Sequence, residues 1–148
     1  MNTTLFAGLA LTLAAPALKE RPSKPPTVEG EWTVVEDVTG GKPAGPPRDG
    51  PTRITISEGV WECSTAGAPV KWRIAIDLKK SPAEIDFLPD KAGPPTYRGI
   101  LKVDGDSLVV CYQGGQDRPT EFASPPGSNL SLLTLRRQKP ADTPPPGK

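Results

Sequence analysis

The stretch ILKVDGDSLVV, residues 100–110, decides how the chain folds. Two apolar runs flank Asp104-Gly105, a dipeptide that tolerates the positive φ of a tight type I′ turn, so the stretch reads as a β-hairpin. The same grammar extends outward from it. In VKWRIAIDL, residues 70–78, Trp72, Ile74, Ile76 and Leu78 alternate with Lys71, Arg73, Ala75 and Asp77. That is the period-2 pattern of a half-buried strand. TRITIS repeats it with Ile54 and Ile56 inward, and EIDF with Ile85 and Phe87 inward. SEGVWE turns at Glu58-Gly59 in the manner of the first hairpin.

Eight strands follow, near residues 30–37, 52–57, 60–65, 70–78, 84–88, 97–103, 107–112 and 130–137. No amphipathic helical stretch of useful length interrupts them. Strands joined in sequence order predict an all-β, antiparallel up-and-down barrel, round or flattened, because closure removes the exposed edges that invite aggregation. An eight-stranded barrel is just wide enough to be filled by side chains or to hold one small ligand.

Composition narrows the function classes. The chain has 148 residues, enough for one domain with its own core, and it balances 18 basic against 17 acidic side chains. Near-neutrality gives no long-range attraction to nucleic acid or to an anionic membrane. Histidine is absent, which removes the usual general base near neutral pH and the commonest metal ligand. No cofactor, no metal and no catalytic residue is expected.

The ends read differently from the middle. LFAGLALTLAAPA, residues 5–17, has the apolar run of a signal peptide, and Ala15-Pro16-Ala17 supplies small residues for cleavage near Ala17. The run is shorter than the ~20 residues of a spanning helix, so membrane contact is expected only through an uncleaved signal segment. Residues 18–28 read as a proline-rich linker and 139–148 as a disordered proline-rich tail, leaving 29–138 as the folded domain. The expected location is the periplasm or the extracellular space.

Several segments together resemble a known family. GEWTVV opens the domain, AEIDFLP lies in its middle, RGILKVDGDSLVVC forms the hairpin, and DRPTEFASPPGS with LLTLRR closes it. In this order, over roughly residues 29–138, they are similar to uncharacterised small lipocalin-like domains of exported planctomycete proteins. The chain departs from the usual pattern at Val109 and in carrying Cys63. The resemblance implies a lipocalin-like barrel. Gly30-Glu31-Trp32 is similar to the lipocalin G-x-W, whose Trp plugs one end under an Arg of the last strand. By that resemblance Arg137, or Arg136 if the register differs by one, lies over Trp32 and locks first strand to last. Such a contact contributes ~0.5–2 kcal/mol.

Candidate sites remain to be weighed. DRPTEFASPPGS, residues 117–128, reads as an elbow that lids the barrel, with Phe122 as its apolar body and Arg118 paired to Glu121. The alternative has Arg118 facing a pocket, its planar fork gripping a carboxylate. Trp61, Trp72, Tyr97 and Tyr112 are candidates to line a ligand pocket, but aromatics at strand spacing are more often core, and the interior reads as filled. Glu84 and Asp86 invite an acid/base reading, although a solvated polar face explains them as well. Cys63 is expected inward and Cys111 outward, so parity argues against a disulfide, which would otherwise stabilise by ~3–4 kcal/mol. The leading expectation is a binder of a small apolar or amphipathic molecule. The alternatives are a cell-envelope structural or protein-interaction module with a filled barrel and, more distantly, a hydrolase.

Overall fold

The computed structural model describes residues 27–45, 50–64 and 68–139. The signal segment, most of the linker and nearly all of the tail lie outside the described residues. Among the described residues nine strands run in chain order: β1 Gly30–Thr39, β2 Lys42–Pro43, β3 Arg53–Ser57, β4 Val60–Ser64, β5 Val70–Asp77, β6 Ala83–Leu88, β7 Tyr97–Asp104, β8 Ser107–Gly114 and β9 Ser131–Arg137. Every pairing is antiparallel, from β1 through β3 and onward in order to β9. β9 then pairs with β1, from Trp32 opposite Arg137 to Thr39 opposite Ser131. The sheet is therefore an eight-stranded, lipocalin-like up-and-down barrel. β2 is a two-residue addition on the end of β1, too short to leave an alternating pattern.

Alternation explains which face each strand buries. Trp32, Ile54, Ile56, Ile85, Leu108 and Leu135 are almost fully buried inside the barrel. Burying each such side chain contributes about 1.5–3 kcal/mol. Leu78 departs from expectation. It lies beyond the end of β5 and is exposed, because the strand stops at Asp77.

The turns follow local chemistry. Glu58 and Gly59 both take positive φ, 48° and 75°, as a type I′ turn requires. The decisive hairpin turns one residue later than expected. Asp104 pairs with Ser107, so Gly105 and Asp106 are the central residues. Only Gly105 has positive φ, which is the type II′ arrangement.

One end of the barrel is closed. Trp32 is fully buried and donates from Nε1 to the Val28 carbonyl at 2.9 Å. The Arg137 guanidinium lies over its ring, 4.1 Å from the centroid. Arg137 also donates to the carbonyls of Glu29 (2.9 Å) and Thr27 (2.7 Å), and its Nε lies 3.8 Å from Asp106. Val28 belongs to the core and Thr27 to this clamp, so the folded domain starts before Glu29 and the linker ends earlier than read. Gly30 has a φ of +130°, and a Cβ there would meet Arg137 Nη1 at 2.7 Å. Only glycine accommodates both demands.

The segment from Asp117 to Ser128 is not a lid. It straps the outside of β7 and β8. Ile100 and Cys111 point outward there, yet both are buried beneath it. Cys111 Sγ donates to the Ala123 carbonyl at 3.5 Å, and Pro119 is buried. Phe122 lies under the Lys102 ammonium, 4.8 Å away, so it takes no part in the β1–β9 seam. At its far end the strap meets the β1–β2 turn, where Gly41 N donates to Ser124 Oγ at 3.2 Å.

Candidate functional site

At the opposite end the interior opens into a cavity of about 780 Å³. This corrects the expectation of a filled barrel, and the cause is the distribution of side-chain size around the ring. Trp61, Trp72, Phe87, Tyr97 and Tyr112 line the cavity from five consecutive strands, β4 to β8. The remaining three strands, β9, β1 and β3, offer Leu133, Val34 and Ile54 and the short Ser131. Large rings on one side face smaller groups on the other, and the space between is left free.

The rings support one another rather than stacking across the lumen. Trp61 packs edge-on to Phe87 at 5.4 Å between centroids, Trp72 to Tyr97 at 5.5 Å, and Tyr97 to Tyr112 at 5.7 Å. Edge-to-face pairs are the preferred aromatic geometry and contribute ~0.5–1.5 kcal/mol each beyond their area. Gly99 makes the Tyr112 position available. It lies opposite Tyr112, and a Cβ on it would meet Tyr112 Cβ at 2.9 Å and the Cys111 carbonyl at 2.7 Å.

A β-bulge adds a polar element to this aromatic wall. The β1–β9 register shifts between Val34 and Glu36, leaving Val35 without a partner and 56% exposed. One extra residue reverses the side on which everything after it points. Trp32 and Val34 point inward before the bulge, opposite Arg137 and Leu135. After it the inward residue is Asp37, opposite the buried Leu133. Asp37 lines the cavity as a result, with Glu36 at its edge. Burial pushes the Asp37 carboxyl up from the usual carboxylate range, and a hydrogen bond with Thr39 partly offsets this. Thr39 Oγ1 is in turn 3.0 Å from Ser131 Oγ. Two strands from Asp37, burial raises the Tyr112 phenol, opposed by its bond with Ser131 and reinforced by the nearby Asp37. Tyr112 is therefore a protonated phenol at neutral pH.

The two cysteines are free and face opposite sides of the sheet. Cys63 lines the cavity, and burial raises its thiol, so it offers a soft apolar surface rather than a thiolate. Cys111 is under the strap.

Of the candidate ligand-binding residues, Trp61, Trp72 and Tyr97 come together in the cavity. Arg118 does not join them. Its guanidinium lies on the outer face, where Nη1 donates to the carbonyls of Gly99 (2.7 Å) and Ile85 (3.3 Å). Nη2 is 2.8 Å from Asp86 and 3.6 Å from Glu84. The carboxylates gripped by its fork are thus the protein's own, replacing the expected Glu121 partner, and Glu84 with Asp86 forms the anchor of the strap. Among the described residues no cluster of metal-ligating side chains occurs.

Sequence reading alone did not single out Asp37, because its inward position depends on the bulge. The one local signal is the pair Val34-Val35, where strict alternation fails. No family model, curated protein or solved structure matches this chain. The functional reading therefore rests on the site's own geometry.

Proposed function

We propose that the protein is an exported, non-catalytic binder of a small, largely apolar molecule held in the open end of the barrel. The observation that carries this reading is the aromatic-walled cavity of about 780 Å³. It falls within the ~300–1,000 Å³ typical of small-molecule sites, which are mostly apolar with a few convergent polar groups. Asp37, Tyr112 and Ser131 are those groups here. The resemblance to exported lipocalin-like domains and the apolar run ending at Ala15-Pro16-Ala17 support export. Two features favour binding over catalysis. The chain has no histidine, and the carboxylate pair Glu84 and Asp86 is held by Arg118 on the outer face.

The competing reading is an envelope interaction module, supported by the proline-rich ends and by a filled interior. The cavity removes the second support. Native mass spectrometry of the protein isolated from the cells that make it tests the proposal. The expected species is the chain cleaved near Ala17, carrying a small adduct that organic solvent releases. Bare, full-length protein, with no rise in melting temperature across a panel of apolar compounds, would sink it.

A further inference from the structure

Resting on this reading of the cavity as a ligand site, we infer that the ligand is a cation: an organic ammonium ion with an apolar or aromatic body. Three observations converge. Among the described residues the cavity carries one inward carboxylate, Asp37, with the exposed Glu36 at its rim, and no lysine or arginine. Such a lining attracts positive charge and repels an anion.

The second observation is the state of Asp37 itself. The bulge turns this side chain toward the interior instead of leaving it in solvent, and among the described residues the Thr39 hydroxyl is the side-chain group that favours its charged form. Among the described residues no lysine or arginine pairs with it. A half-buried carboxylate lacking a countercharge is a cost to the empty protein, and an incoming ammonium group offsets it.

The third is the wall opposite. Five aromatic rings line the same space, and the negative face of an aromatic ring attracts a cation while its area packs against the apolar body. Carboxylate and rings together recognise both halves of an amphipathic ammonium ion. A neutral apolar molecule uses only the rings, and a carboxylic acid meets repulsion from Asp37.

Calorimetry and tryptophan fluorescence on the full chain test this with three probes of similar size. They are benzyltrimethylammonium, its uncharged carbon isostere neopentylbenzene, and the anion phenylacetate. The cation is expected to bind about tenfold more tightly than the isostere, with phenylacetate weakest. Asp37→Asn should weaken the cation about tenfold and leave the isostere unchanged, with near-UV circular dichroism confirming the fold. Asp37→Glu should retain the preference for the cation. Equal affinity for cation and isostere in the unmodified protein overturns the inference without recourse to any variant, while the ligand site stands. Failure of all three probes to bind overturns both.

Discussion

The two ends of the barrel are built from the same residue types with opposite results. At one end an indole and a guanidinium meet: Trp32 is fully buried, and Arg137 covers it and ties down the chain before β1. At the other, two indoles and three further rings leave room between themselves and the facing wall. At the closed end the Trp32 indole and both terminal nitrogens of Arg137 donate to backbone carbonyls. The open end keeps a carboxylate that, among the described residues, has only a hydroxyl to favour its charge. On the proposed function, stability is concentrated where the barrel is closed, and binding is assigned to the end that is open.

The contrast breaks most visibly with tryptophan. Trp32→Ala removes a fully buried ring and its bond to Val28, and should cost about 3–5 kcal/mol in urea unfolding. Trp72→Ala, at the half-buried open end, should cost about half as much or less and abolish probe binding. Equal costs at the two positions would contradict the division of labour.

Gly30→Ala is the next largest. It sets a Cβ against Arg137 and forces a non-glycine residue to a φ of +130°, with an expected loss of about 1–3 kcal/mol. Probe affinity should stay the same, since the cavity is at the other end. A loss of affinity larger than the loss of stability would mean that the ends are coupled.

The smallest effect has the opposite sign. Burial raises the Asp37 carboxyl, so the folded chain holds that proton at a pH where the unfolded chain has lost it. Its contribution to stability is best below the ordinary carboxylate value and is lost as pH rises through the raised folded value. Asp37→Asn should therefore stabilise the empty protein at pH 7, by less than about 1 kcal/mol after solvent screening at this partly exposed site. The gain should vanish below about pH 4, where the carboxyl is protonated in both states. Urea titrations at several pH values measure it. A destabilised variant at pH 7 would show that Asp37 has a structural role, in contrast to the cost assigned to it here.

What the sequence revealed and what it hid divide along the same axis. The strands were legible because period-2 alternation and Glu58-Gly59 are local signals, and Gly30 and Trp32 lie only two residues apart. The turn at Gly105-Asp106 was displaced by one residue because Asp104-Gly105 and Gly105-Asp106 both carry turn chemistry. The cavity was not legible, since it depends on the sum of side-chain sizes around a ring of eight strands distant in sequence. Arg118 was misplaced for a similar reason. Its partners Glu84 and Asp86 come from two strands earlier, while Glu121 was merely adjacent. Asp37 was hidden by a single unpaired valine.

The contrast between the ends can be read directly from the three indole N–H signals in a nitrogen–proton correlation spectrum. Titration with benzyl alcohol, a small neutral aromatic that needs no charge to enter, should move the signals of Trp61 and Trp72 in a saturable way and leave that of Trp32 in place. Three unmoved signals, or movement of Trp32 alone, would contradict an open aromatic end set against a sealed one.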